Sequence, residues 1–453
     1  MQEFEVPLYL HAEFLPNIRQ ITLYVSLPRG ATFDGVRPDI QLSQSRKAVT
    51  VSLPKPFEDV SETIKLPARV SDASQLALQS STGPAPEAGG KSYDFSFRMQ
   101  VDANDEVLAP RDELIDDFVP WTAEEMSPLT RIRCRWCAQN FLKPSSTSDD
   151  NTDKTPPPQG WIWKDLPSGN WAEMMDFWHC HKPDPHEGHE KDQKDSALQI
   201  EEQTAQTKGY GADSQVVAIP RTVLVDVATF LLTESDCTGL EKGNEEEQKS
   251  NIETSAQRTL DCTNCRSIIG MEDPIAKGWR LLKANVSLNT NKASESTIPE
   301  WEHHPTETIV AAQLLELIER ESARRFVVHC GQKTGLVVST HLNPPIPNQL
   351  TVYAQLWVFN PDMRYSNSSA GLTIMAQHAM KVFYQESADV DTLLHPEIGN
   401  PSPLSVEELE LPSMIFQAMA NALTSSNSML PVSARRFNEW HVGLLSRFTR
   451  GKA

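Results

Sequence analysis

Between residues 8 and 102 the apolar side chains come in short runs bounded by turn-forming residues: Leu8 to Phe14, Ile21 to Leu27, Val49 to Leu53 and Tyr93 to Val101. Runs of this length, rich in β-branched and aromatic residues, predict strands, so residues 1–117 read as an all-β, sandwich-like domain. The Ser/Gly/Pro-rich stretch Ser80 to Gly90 predicts a hairpin loop, and Asp102 to Glu125 carries nine acidic residues against one Arg. That strip reads as a solvated linker, with a docking surface for a basic partner as the alternative.

The pattern changes in the middle of the chain. Trp171, Met174, Met175 and Trp178 recur at i, i+3, i+4 and i+7, which places them on one face of a helix, and Asn170 and Glu173 suit its first turn. That helix ends in His179-Cys180-His181. Val216 to Leu232 reads as one or two buried strands. Two polar inserts, Ser145 to Gln159 and Lys182 to Asp213, are too poor in apolar residues to fold alone and predict disorder.

Beyond Pro299 the elements lengthen. Thr306 to Arg324 predicts a helix with Val310, Leu314, Leu317 and Ile318 on one face, and Phe326 to Cys330, Leu336 to Thr340 and Leu350 to Asn360 predict strands. Pro412 to Leu423 and Ser433 to Phe448 predict two more helices, the last directing Phe437, Trp440, Leu444 and Leu445 inward. The expected fold class is multidomain α+β: an N-terminal all-β sandwich-like domain (1–117, with the acidic linker), a central zinc-stabilised Cys/His module (118–298) and a C-terminal α/β domain (299–453).

Composition narrows the function. The chain has 453 residues, with 41 Lys and Arg against 61 Asp and Glu, a formal charge of −20. Such a field repels phosphate backbones and anionic lipids, so direct nucleic-acid or membrane binding is not expected. The opening Met1-Gln2-Glu3-Phe4-Glu5 has acids where a secretory signal needs bases, and no apolar run approaches a membrane span, which predicts a soluble intracellular protein.

Seven cysteines, four of them in the pairs Cys134-x-x-Cys137 and Cys262-x-x-Cys265, point in a reducing compartment to zinc and not to disulfides. One tight turn lets a CxxC pair present two thiolates to one ion, so each pair is half a structural site. Two closures are open. Cys134, Cys137, Cys262 and Cys265 can seal one tetrahedral zinc, or one pair can combine with Cys180 and His179 or His181. The dull reading of His179-Cys180-His181 is a capped helix end, and His186 and His189 read as solvated. Cys237 is an extra ligand or nothing. Cys330 is the one candidate nucleophile of the C-terminal domain, but neighbouring side chains on a strand face opposite ways, so His329 cannot serve as its base and the core is its expected place. Phosphate loops, His-Glu-x-x-His and nucleophile elbows are absent from the sequence.

Leu166-Pro167-Ser168-Gly169-Asn170-Trp171, Trp178-His179-Cys180-His181 and the two CxxC pairs that flank them resemble the HECT-like family that binds ubiquitin-conjugating enzymes. Leu356-Trp357-Val358-Phe359-Asn360-Pro361-Asp362, Tyr365-Ser366, Ala379-Met380-Lys381-Val382-Phe383-Tyr384 and Leu430-Pro431 leading to Arg436 and Trp440 extend the likeness over nearly the whole chain. The resemblance implies a ubiquitin ligase or ligase-like adaptor of cytoplasm and nucleus that grips a charged conjugating enzyme, and a link to pre-mRNA 3′-end processing. The middle module, with Trp171, Met175 and Trp178, is then expected to meet that enzyme while other domains hold a client. A HECT ligase carries ubiquitin on a Cys near its C-terminus, whereas residues 331–453 here contain none. Orientation of the loaded enzyme is therefore the expected mechanism. The rival expectation is a non-enzymatic assembly or stability factor for the cleavage and polyadenylation endonuclease.

Overall fold

The computed structural model describes residues 8–27, 38–55, 60–74, 78, 94–105, 115–143, 160–166, 216–243, 258–290, 300–330, 353–368, 376–387 and 406–450. The helix expected over 170–181 lies outside them, as do the strand expected at Leu336 to Thr340, the Ser80 to Gly90 loop and both polar inserts. Contacts divide the chain into two units, Met1–Leu114 with Ala323–Thr449, and Ile115–Ser322 with Arg450–Ala453.

The first unit begins with β1 (Tyr9–Leu15), β2 (Gln20–Ser26), β3 (Asp39–Leu42), β4 (Ala48–Ser52), β5 (Ser61–Lys65) and β6 (Asp94–Gln100). The second supplies β7 (Arg131–Cys134), β8 (Ile162–Asp165), β9 (Thr222–Val225), β10 (Thr229–Leu232), β11 (Leu240–Lys242), β12 (Thr259–Cys262), β13 (Ile268–Asp273), β14 (Gly278–Leu282), β15 (Val286–Asn289) and helix α1 (Thr306–Glu321). The chain then re-enters the first unit with β16 (Arg325–His329), β17 (Tyr353–Asn367), β18 (Gln377–Ser387), β19 (Val406–Glu410), helix α2 (Ser413–Met429), β20 (Arg436–Phe437) and β21 (Trp440–Ser446). Among the described residues the protein is β-rich with few helices.

In the first unit a nine-stranded sheet runs β20-β21-β18-β17-β1-β2-β6, with β16 also on β17 and β19 parallel to β16. Strand β1 joins the two ends of the chain: Ala12 stands opposite Leu23 of β2 on one side and Ser366 of β17 on the other. The segments expected as separate N- and C-terminal domains thus share one sheet. A backbone ladder has no residue-type signature, so a pairing across some 350 positions leaves no trace in local pattern. Alternate residues Leu10, Ala12, Phe14, Ile21, Leu23 and Phe97 bury against Val49, Val51 and Ile64 of a smaller β3-β4-β5 sheet. Each of the larger side chains among them contributes roughly 1.5–3 kcal/mol by leaving water.

The predicted helix over Ser433 to Phe448 is corrected to a hairpin. Phe437 pairs with Trp440 across a two-residue turn in which Asn438 takes φ 52°, a left-handed conformation that Asn tolerates better than most residues. Strand β21 then completes the sheet beside β18, with Val382 opposite Gly443. The spacing of Phe437, Trp440 and Leu444 suits a helix, but Trp440, Val442 and Leu444 also alternate, and pairing with β18 decides between the two periods. Gly443 lets α2 lie close: a Cβ there would stand 2.7 Å from Leu423 Cδ2.

In the second unit a seven-stranded sheet runs β11-β12-β13-β14-β10-β9-β8, and β7 pairs with β15 in a separate ribbon. Trp121, Phe141, Phe230, Leu260, Leu281 and Val286 bury together with Cys134 and Cys262. A 3₁₀ turn at Lys283–Asn285 carries the chain from β14 of the large sheet straight into β15 of the ribbon. That short crossing makes the two sheets neighbours. Among the described residues no helix is long and apolar enough to cross a membrane.

Candidate metal centre

Cys134 ends β7 and Cys262 ends β12, and each opens a turn of the same construction. In the first, the Cys134 N–H donates to the Gln139 carbonyl (2.8 Å) and the Ala138 N–H donates back to the Cys134 carbonyl (3.2 Å). In the second, the Cys262 N–H donates to the Ser267 carbonyl (2.9 Å) and the Arg266 N–H to the Cys262 carbonyl (2.9 Å). Ala138 and Arg266, equivalent positions just past each second cysteine, both adopt positive φ, 62° and 63°. For a residue with a Cβ that conformation costs about 1 kcal/mol, so its occurrence at both places marks a geometry the turn requires. It folds the four residues of each CxxC until both thiols face the same way.

The turns come together through the crossing at Lys283–Asn285. The Arg135 N–H donates to the Asn285 carbonyl (3.3 Å), while Asn285 Nδ2 donates to the Ile268 carbonyl (3.0 Å) at the exit of the other turn. Asn285 is 2% exposed and ties one knuckle to the other. The Arg135 guanidinium adds bonds to the carbonyls of Ala284 (3.0 Å) and His304 (3.1 Å). Sequence reasoning missed Asn285, since nothing around it resembles a ligand motif.

The outcome is four sulfurs within 4.8 Å of one another: Cys134, Cys137, Cys262 and Cys265. Cys134 Sγ lies 3.6 Å from Cys265 Sγ and Cys137 Sγ 3.5 Å from Cys262 Sγ, far beyond a disulfide bond of about 2.05 Å. A tetrahedral zinc with Zn–S of about 2.3 Å needs sulfurs roughly 3.8 Å apart, so the donor set fits a zinc-sized ion in both chemistry and spacing. Of the two closures open in the sequence, the described residues bring together the all-cysteine one.

The four thiols differ in how readily they ionise. Burial pushes the Cys134 thiol up to about 12 against the pull of the Cys137 and Trp136 amides, and burial likewise raises Cys262. At Cys265 the Ser267 hydroxyl, 3.3 Å away, and the Ser267 amide bring the thiol down to about 6. Burial opposes ionisation of Cys137 too, but the Gln139 amide and the Asn264 side chain outweigh it and lower the thiol. The two inner sulfurs therefore resist charging while the two outer ones favour it, and a divalent ion at the centre would draw all four into the thiolate form.

The other sequence candidates fall elsewhere. His179, Cys180 and His181, and Trp171, Met175 and Trp178 expected to meet a partner, lie outside the described residues. Cys237 is buried beside Phe141 in the core of the second unit, apart from the four-thiol group, and burial with Asp236 alongside pushes its thiol up to about 12. It packs as a small apolar side chain. Cys330 follows β16 in the first unit, and the neighbouring His329 is held by Glu408 at 2.6 Å.

Comparison with known proteins adds what geometry cannot. A family model described as HECT-like ubiquitin-conjugating enzyme (E2)-binding matches residues 13–442. An uncharacterized protein of Schizosaccharomyces pombe is 23% identical over 336 residues, 73% of this chain and 78% of the relative. An uncharacterized protein of Saccharomyces cerevisiae is 24% identical over 340 residues, 72% of each chain. No solved structure matches.

Proposed function

This chain belongs to the HECT-like family of ubiquitin-conjugating-enzyme (E2) binders, and we propose that it grips a ubiquitin-charged conjugating enzyme and orients it for transfer to a client. The observation that carries this reading is the family match over residues 13–442, which takes in both units and all four clustered cysteines. Zinc, the ion that four thiolates select, would be held by Cys134, Cys137, Cys262 and Cys265, where it supplies a structural tie and no reacting group.

The chemistry available favours orientation over a covalent relay. Residues 331–453 contain no cysteine, and His329, the histidine next to Cys330 in the chain, directs its ring to Glu408 of the neighbouring strand β19. Holding a charged conjugating enzyme in one attack-ready posture lowers the barrier without any nucleophile from the binder. The cysteine turns serve that end by making the second unit rigid at the point where its two sheets meet.

The test is single-turnover discharge of a ubiquitin-loaded conjugating enzyme with and without the full chain. Acceleration on the order of tenfold or more is expected, surviving Cys330→Ala and lost in Cys134→Ser. Unchanged discharge across a panel of conjugating enzymes would defeat the proposal and leave a non-enzymatic assembly or stability factor for the pre-mRNA cleavage endonuclease as the better reading.

A further inference from the structure

Apolar side chains occupy every second position along the first strand: Leu8 just before β1, then Leu10, Ala12 and Phe14 within it, all buried on the core face. A slip of one residue would turn that set out of the core, so the pattern forbids it. A slip of two residues would not, because each core site would still receive an apolar side chain. The 3₁₀ turn Pro16–Ile18 holds β1 on β2, leaving the hairpin as a whole to find its place on β17, a strand from the far end of the chain. Backbone contacts do not choose the place: the Ser368 hydroxyl accepts from the Leu10 N–H (2.8 Å), a donor that a slipped residue would supply equally well.

The opposite face of β1 does discriminate. Glu13, 2% exposed, meets Lys381 Nζ with one carboxylate oxygen (2.6 Å) and His11 Nε2 with the other (3.2 Å). Lys381 belongs to β18, two strands away, so the contact passes over β17, and Lys381 stands opposite Asn360 where the β17–β18 register shifts. Its neighbours Ala379, Phe383 and Leu444 belong to an apolar cluster. Burial pushes the Glu13 carboxyl up, but Lys381 and His11 outweigh it and hold it at about 2. The His11 ring is itself packed between Tyr24 of β2 and Tyr365 of β17, with centroids 6.1 and 5.7 Å away.

Glu13 faces Tyr365 in this alignment. After a two-residue slip, His11 or Leu15 would take that place and the Lys381 ammonium would lose its carboxylate among apolar side chains. Stranding one member of a buried pair costs far more than the intact pair contributes, and more than fitting Leu10 or Phe14 into the site of Ala12. We infer that the Glu13–Lys381 pair is a register lock: it selects the one alignment of the β1–β2 hairpin on β17, and so decides how the two ends of the chain close the first unit. This closure needs no bound partner and stands apart from E2 binding.

The experiment reads the register in the full chain from cross-strand NOEs of a deuterated sample labelled at alanine, serine and arginine, in which Ala12 faces Ser366. Thermal midpoint and metal content report whether each variant folds. Lys381→Met with Glu13→Gln removes both charges and keeps a partner for His11. In it, NOEs from Ala12 to Arg364 or Ser368 should join the native set, from slipped forms populated to about a tenth or more. His11→Glu with Glu13→His preserves composition and moves the carboxylate two places along β1. Its main register should be the one in which Ala12 faces Arg364, since that alignment returns a carboxylate to Lys381. The native register alone, in every variant that folds, overturns the lock. If neither double variant folds, Lys381→Met decides: with no ammonium to strand, slipped registers should appear, and the native one alone overturns the inference.

Discussion

Two buried side chains in the second unit do work that their identities would not suggest. Asn285 ligates nothing: its backbone carbonyl accepts from the Arg135 N–H in one cysteine turn, and its side chain donates to the Ile268 carbonyl at the exit of the other. Asn285→Leu should retain all four thiols and bind zinc about ten- to a hundredfold more weakly, measured by competition with a chelator, as expected when a supporting contact and not a ligand is lost. Lys283 is fully buried, with Nζ donating to the carbonyls of Pro120 (2.8 Å) and Trp121 (3.2 Å) and resting 5.2 Å from the Phe230 ring centre. Burial brings its amine down to about 7, with Asp226, Asp165 and Glu125 pulling the other way. In the unfolded chain that amine titrates near 10.4, so between roughly pH 7 and 10 the unfolded state binds the extra proton. Stability should therefore rise with pH across that window. In Lys283→Met the rise should be smaller, a comparison that denaturant melts at pH 7, 8 and 9 would make; identical slopes would show that Lys283 does not titrate on unfolding.

Short elements here owe their form to what they meet. Strands β1, β2, β4 and β6 could be read from alternating apolar runs, and helices α1 and α2 from their amphipathic spacing, because each buries a pattern written in its own residues. Strand β21 could not, since Trp440, Val442 and Leu444 fit either period and β18, far away in sequence, settles it. Of the candidate metal centre, the two cysteine pairs were legible in the CxxC spacing, but their approach to one another depends on the crossing at Lys283–Asn285, which carries no motif. The turns themselves offer a test. Ala138→Gly relieves the left-handed strain and should stabilise the second unit by up to about 1 kcal/mol in a thermal melt, whereas Ala138→Val should destabilise it by more than that. Gly270, on β13, approaches β14 so closely that a Cβ would stand 2.1 Å from the Arg280 carbonyl oxygen. Gly270→Ala should accordingly cost roughly 1–3 kcal/mol, and a neutral outcome would mean that the two strands separate freely.

At the scale of the whole molecule, two units are closed by different means. The first joins the ends of the chain through β1 and β17 over an extensive apolar core, an arrangement that only tertiary pairing could reveal. The second brings together cysteines more than 120 residues apart, Cys137 and Cys262 among them. A tie of that span removes much conformational freedom from the unfolded chain, so metal removal should lower the stability of this unit selectively. With the first unit unaffected, chelation should split the thermal transition in two. The account as a whole depends on one zinc ion bound by four cysteines. Zinc-edge X-ray absorption on the purified full chain, with the metal content measured alongside, tests it most directly. We predict one zinc per chain with four sulfur neighbours at about 2.3 Å. A chain purified without zinc, or a first shell containing nitrogen from His179 or His181, would contradict it.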